Sequence, residues 1–243
     1  MWYIRKIDPL SSIISGKYAS FVGAGGKTSL AEYLATEALA KGMRVALTTT
    51  TKIWAKEPYV ALKGGPRQRG RGGRLVRVGK SVENGKLTGL DEDELAALGA
   101  EFDIVLIEAD GSKGMPLKYP ADFEPVIPSF TDRIVVVAGL DGLSGLIAGK
   151  VFRWELLSKK TGLTGEMPVD GEIFLRLFGP DGMMKGVDSG KCVVVLNKYD
   201  ACSERQQVLA LAREVSGQTR CSPVIVASVR HGIFYGVEAL GSH

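Results

Sequence analysis

Three observations predict an α/β fold with a mostly parallel, doubly wound sheet and helices on both faces. Apolar runs of strand length recur along the 243 residues, amphipathic segments separate them, and residues suited to ligand binding cluster where the runs end. In order, residues 2–7 can add an edge strand and YASFVG (18–23) is the first buried one. After it, Leu30, Tyr33, Leu34, Ala38 and Leu39 fall at helical spacing and Gly42 supplies a stop. RVALTT (44–49) is the next strand, and the Arg-rich loop 64–74 is flexible by composition. Asp91 with Glu94 forms a capping box for a short helix ending near Gly99. FDIVLIE (102–108) and RIVVVAG (133–139) are strands, and residues from about 140 to 190 form a helical insertion covering one edge. CVVVLN (192–197) follows, then a helix opened by Ser203 and Gln206 and running towards Gly217, then PVIVAS (223–228). The expectation is one domain, 1–243, around one core.

Composition narrows the function. Apolar residues make up 45% and charged residues 24%, the balance of an ordinary globular protein. Two histidines, His231 and His243, leave little for a histidine-rich metal site or an imidazole-centred triad. Cys192, Cys202 and Cys221 match neither a zinc knuckle nor a redox pair; Cys192 reads as strand core, the others as lone thiols in a reducing compartment. No apolar run is long enough to span a membrane and the first residues do not read as a signal peptide, so a cytoplasmic location and no membrane partner are expected. The net charge of +4 is local: Arg67, Arg69, Arg71, Arg74 and Arg77 share one acid-free stretch, and without them 26 basic residues face 27 acidic ones. That argues against a nucleic-acid partner and for a solvated arginine loop.

The chemistry begins at 22–29, VGAGGKTS, between strand and helix. Glycines let successive N–H groups turn towards phosphate oxygens, and the helix start adds partial positive charge. Gly23, Ala24, Gly25, Gly26, Lys27, Thr28 and Ser29 are therefore expected to hold nucleotide phosphates, with Lys27 on the β and γ phosphates and Thr28 on Mg²⁺. Phe21 replaces the first glycine of the usual pattern, making this a shortened variant of a P-loop NTPase motif. Glu108 and Asp110 close the strand 102–108 on the side that faces this loop, where a carboxylate can hold Mg²⁺ and orient water. Lys27, Glu108 and Asp110 are the candidate catalytic residues, and Thr28, Glu108 and Asp110 the candidate metal ligands. Position alone does not rank the two acids. Thr50 and Lys52, in the run 48–52, and Lys113 and Lys118 are candidates for a second substrate or for developing charge. Asn197, Lys198 and Asp200 at a strand end form an NKxD pattern. Asp200 can accept from both guanine N1–H and the exocyclic amine, Asn197 fixes the loop, Lys198 lies along the ring, and the backbone of Ala227 or Ser228 can donate to O6. That favours GTP over ATP.

In this order, GAGGKTS, TTTTKIW (48–54), EADGSKGMPLKYPADFEPVIP (108–128), AGLDGL (138–143) and NKYD resemble the YqeC family, accessory proteins for selenium-dependent molybdenum hydroxylases. The resemblance runs from about residue 20 to 229; Lys118, Glu124 and Pro125 lie in its most distinctive stretch, while Tyr119 and the arginine loop depart from the usual pattern. It implies a cytoplasmic nucleotide-binding protein that helps assemble or insert a selenium-containing molybdenum cofactor, with a molybdenum hydroxylase or another cofactor-assembly protein as partner. The expected activity is Mg²⁺-dependent hydrolysis of GTP (or ATP). A kinase or nucleotidyl transferase acting on a small cofactor precursor, and a non-hydrolysing, nucleotide-gated delivery scaffold, are the alternatives.

Overall fold

The computed structural model of the chain describes residues 2–63 and 75–239. The expected arginine loop, 64–74, lies outside them. Strand β1 (Trp2–Lys6) and helix α1 (Pro9–Ile13) precede β2 (Tyr18–Gly23) and α2 (Lys27–Ala40). Then come β3 (Val45–Thr49), β4 (Lys52–Trp54), β5 (Tyr59–Ala61), β6 (Leu75–Gly79), β7 (Val82–Glu83) and β8 (Lys86–Thr88). Helix α3 (Glu92–Leu98) leads to β9 (Ile104–Glu108), the short β10 (Leu117–Lys118) and β11 (Arg133–Gly139). The segment after β11 holds α4 (Ile147–Lys150), β12 (Val151–Phe152), α5 (Trp154–Thr161) and α6 (Gly171–Arg176). Finally β13 (Cys192–Asn197), α7 (Val208–Thr219), β14 (Val224–Ser228) and β15 (Ile233–Ala239) complete the chain.

A ten-stranded sheet in the order β1-β15-β14-β13-β11-β2-β9-β3-β6-β5 organises the molecule. From β14 to β5 every pairing is parallel; β15 and β1 add antiparallel strands at one edge. Strands covered on both faces need apolar side chains at every position, which is why they read as unbroken apolar runs. One face packs Phe21, Val135, Val137, Val193 and Val195 against Leu30, Leu34 and Ala38 of α2 and Leu10 and Ile13 of α1. Burying Leu30 and Leu34 completely contributes about 1.5–3 kcal/mol each. The other face packs Val22, Val136, Ala138, Val194 and Leu196 against α7 and the segment that follows β11, including Leu157 and Phe174. That segment therefore covers a face of the sheet, not an edge. A smaller core sets Leu95 and Leu98 of α3 on Ala46, Val105 and Ile107.

The Asp91–Glu94 capping box is present, with Asp91 accepting from the Glu94 amide and Glu94 from the Asp91 amide, each at 3.0 Å. Two expectations are corrected. Ser203 and Gln206 do not cap α7; a 3₁₀ turn (Arg205–Gln207) precedes it, no side chain caps Gln207, and the helix passes through Gly217 to Thr219. Burial of Val208, Leu211, Ala212 and Val215 sets its extent instead. Cys221 is not a lone thiol: it forms a disulfide with Cys192, 29 residues away, because β13 and β14 are neighbours and bring the two Cα atoms to 5.1 Å. Cys202 remains free and buried.

Candidate functional site

Parallel strands deliver their carboxyl ends to one rim of the sheet, and the register decides which residues meet there. Phe21 and Thr49 both lie opposite Glu108, Gly23 opposite Val137, and Gly139 opposite Asn197. The turn after β2 is set by its neighbours. A Cβ on Gly23 would lie 2.3 Å from the Val137 carbonyl oxygen, and one on Gly25 2.1 Å from the Gly139 nitrogen, with φ of +90° and +80°. The Ala24 amide donates to Val137 O (2.8 Å) and that of Gly25 to Met115 O (3.0 Å). Gly26 caps α2 at φ +119° with no side-chain bond, so the first-turn amides, including those of Lys27 and Thr28, have no intrahelical acceptor. This is the donor set an anion takes at a helix start.

Lys27 folds back over the turn: its Nζ donates to Gly23 O at 2.6 Å and to Ser112 Oγ at 3.2 Å, and lies 3.0 Å from Asp110 Oδ1. Asp110 is nearly sealed off, and its Oδ2 accepts from the Gly23 amide and from Lys118 Nζ, each at 2.9 Å. Glu108 is placed differently. Thr28 Oγ1 donates to Glu108 Oε1 at 2.8 Å, which sets one hydroxyl and one carboxylate together beside the turn. Burial pushes the Glu108 carboxyl above its usual 4.5, against the pull of Lys27 and Thr28. Hard oxygen ligands of this kind suit Mg²⁺. Among the described residues, no group of three or more His, Cys, Asp or Glu is arranged as a metal cage.

At the other end of the turn, Gly26, Ser29, Tyr33, Asn197, Lys198 and Asp200 line a cavity of about 640 Å³. Asn197 joins its two walls: Nδ2 donates to Gly25 O (2.9 Å) and Oδ1 accepts from the Val229 amide (3.1 Å). The Asp200 carboxylate accepts from Ser228 Oγ at 2.5 Å, and this bond, more than any other, holds it below the usual 3.8. His231 Nδ1 is 2.9 Å from the same hydroxyl. Lys198, expected to lie along a base, lines the same cavity. Its Nζ pairs with Asp141 Oδ2 at 2.8 Å, reached from a backbone at φ +63°.

The remaining candidates scatter. Thr50 Oγ1 donates to Val126 O (2.9 Å), and Lys52 pairs with Glu83 (2.7 Å) at the surface. Lys113 lies over the Phe152 ring at 5.7 Å. Lys118 is neither solvated nor free: it is 1% exposed and binds Asp110, Gly111 O and Glu124 at 2.8–2.9 Å. Glu124 also pairs with Arg153, whose guanidinium stacks 4.9 Å from the Phe152 ring centre. The motif reading passed over Glu32, Arg77, Asp141 and Arg153. Glu32, four residues after Thr28 on one helix face, and Asp141, inside AGLDGL (138–143), carried a sequence signal; Arg77 and Arg153 did not.

Residues 19–155 match the family model described as YqeC protein. A protein of Escherichia coli (strain K12), Uncharacterized protein YqeC, is 33% identical over 195 residues, 75% of this chain and 76% of its own length. Among solved structures, chloroplast FtsY from Physcomitrella patens aligns with a TM-score of 0.40 and 13% identity, over 88% of this chain and 62% of that one.

Proposed function

The chain belongs to the YqeC family, and we propose that it is a P-loop-type NTPase that binds GTP with Mg²⁺ and hydrolyses it. One observation carries this reading. The hydroxyl of Thr28 and the carboxylate of Glu108 meet at 2.8 Å beside a helix start whose cap carries no side chain, with Lys27 across the turn. Amides of the first turn of α2 take the phosphates. Lys27 exchanges Gly23 O and Asp110 for the β and γ oxygens. Thr28 and Glu108 hold the metal, which when bound neutralises charge on the leaving phosphate. We assign Asp110 to anchoring the turn, since the Gly23 amide, Lys118 and Lys27 already engage its oxygens. Base selectivity falls to Asp200, fixed by Ser228, with Asn197 tying the base pocket to the phosphate turn.

Titrating GTP, ATP and CTP with and without Mg²⁺ tests the reading. GTP should bind most tightly and only with Mg²⁺, Asp200→Ala should remove the preference for GTP, and Lys27→Ala should weaken all three. Failure of any nucleotide to bind overturns the NTPase; equal loss for all three in Asp200→Ala overturns the base assignment alone. Release of free phosphate without an acceptor marks hydrolysis, whereas a phosphorylated or nucleotidylated small molecule marks a transferase.

For the setting of this cycle we propose what the family resemblance implies, maturation of a selenium-dependent molybdenum hydroxylase. Its support is the stretch 108–128, whose Lys118 and Glu124 are built into the floor of the site. A hydroxylase purified from cells lacking this chain should be normal in amount yet deficient in selenium-dependent activity; full activity there removes the assignment.

A further inference from the structure

The candidate base pocket is tied to one short turn. After β14 the chain makes a 3₁₀ turn, Val229–His231, closed by Gly232 at φ +63°. The Val229 amide donates to Asn197 Oδ1 at 3.1 Å. A 3₁₀ turn brings residues i and i+3 onto one side, so His231 returns to Ser228 and, through it, to Asp200. The Ser228 hydroxyl has two neighbours and one hydrogen. Its Oγ lies 2.5 Å from Asp200 Oδ1 and 2.9 Å from His231 Nδ1. An ionised carboxylate can only accept, so the hydroxyl hydrogen points to Asp200, and this bond is the main cause of its carboxyl lying below the usual 3.8. Nδ1 then carries a hydrogen of its own, because lone pairs of nitrogen and oxygen facing each other at this distance repel. The same N–H edge is 3.7 Å from Asp200 Oδ2. Ser228 is 2% exposed, which leaves its hydroxyl little access to water as a substitute for either neighbour. His231 is different: 53% of its side chain is exposed, and it stands behind the cavity that Asn197, Lys198 and Asp200 line.

We propose that His231 is a positioning residue for base recognition: its Nδ1–H turns the Ser228 hydroxyl onto Asp200, and the carboxylate is thereby held in the plane that the paired N–H donors of a guanine require. The hydrogen-bonded chain His231–Ser228–Asp200 stands on geometry, whereas the base it serves rests on the GTP reading above. A carboxylate rotates about its own bond unless something holds it. Two parallel N–H···O bonds need its plane aligned with the base, which is why paired contacts are specific as well as strong. Ribose and phosphate contacts make no such demand on Asp200. The effect of His231 therefore falls on the choice of base and not on nucleotide affinity in general.

GTP and ATP titrated with Mg²⁺ into the full chain, as wild type, His231→Ala, Ser228→Ala and the double variant, test it. His231→Ala should weaken GTP about three- to tenfold, the range of one lost hydrogen bond, and leave ATP within about twofold. In the Ser228→Ala background the same substitution should change the GTP preference no further, because its action passes through the hydroxyl. A histidine that only supports the turn weakens both nucleotides alike. The hydrogen bond is read separately from the imidazole nitrogen resonances of His231: Nδ1 should carry a hydrogen in the wild type and shift in Ser228→Ala. Unchanged GTP affinity in His231→Ala, equal loss of GTP and ATP, full additivity with Ser228→Ala, or an Nδ1 without hydrogen each overturn the proposal and leave the GTP reading standing. A wild type that binds no nucleotide, or binds GTP and ATP equally, overturns that reading instead, and the base role of His231 falls with it.

Discussion

Lys118 shows how much of this site is decided by single buried charges. An ammonium removed from water survives only with carboxylates around it, and Asp110 and Glu124 supply them at 2.9 Å. Lys118→Met should therefore cost about 3–5 kcal/mol, measured by urea unfolding, because two carboxylates lose their shared partner in the interior. Burial alone would raise Glu124, but Lys118 and Arg153 outweigh it and the carboxyl lies below its usual 4.5. Its stabilisation is thus present above that value and is lost as pH falls through the lower folded one; Lys118→Met should shrink this acid loss. Glu108 behaves oppositely. Its raised carboxyl favours the proton in the folded chain, so it opposes folding as pH rises above 4.5, and a metal must displace that proton. Mg²⁺-dependent nucleotide affinity should weaken on acidification beginning above pH 4.5. In Glu108→Gln the Mg²⁺ dependence and its pH profile should both disappear, and a profile unchanged by that substitution refutes Glu108 as a metal ligand.

At the scale of elements, the turn between β2 and α2 works because two neighbouring strands, β11 and β13, leave no room for a side chain at Gly23, Gly25 and Gly26. Gly25→Ala would press a Cβ against the backbone of Gly139 at φ +80°, so it should abolish nucleotide binding as well as lower stability. Asn197→Ala tests the link to the base pocket. It leaves Gly25 O and the Val229 amide unpaired in a buried position and should cost about 1–3 kcal/mol, with the melting temperature as readout. The strands that carry these residues were legible in the sequence because burial on both faces imposes continuous apolar runs, and the capping box of α3 because its bonds are local. Less was legible where partners are distant or faces are mixed. β4 and β7 have exposed positions, β8 half-buried ones, and each has only two or three residues, while β15 is a late strand held between β14 and the edge strand β1. Arg77 read as part of a solvated loop because the carboxylate that holds it, Glu32, stands 45 residues earlier; the Cys192–Cys221 pairing likewise follows from strand adjacency that spacing does not reveal.

Across the whole molecule, the glycine turn after β2 is tied to the segment after β11 by a chain of hydrogen bonds and ion pairs, Gly23 amide to Asp110, Asp110 to Lys118, Lys118 to Glu124, and Glu124 to Arg153 at the start of α5. Arg153 holds φ at +62°, a conformation that disfavours side-chain-bearing residues, while its guanidinium lies between the rings of Phe152 and Phe123. A ligand that draws Lys27 away from Asp110 changes the charge at one end of this chain, and α5 stands at the other. Nucleotide at about a hundredfold above its Kd should raise global stability by about 2.7 kcal/mol. Protection from hydrogen exchange should extend beyond the turn into residues 154–161. In Arg153→Ala the affinity should stay within about twofold, since the residue touches no phosphate donor, while the added protection of α5 is lost. If α5 is protected equally in that variant, the chain of bonds is scaffolding alone; if it is unprotected in the wild type, nucleotide state is not transmitted to the face where α5 lies.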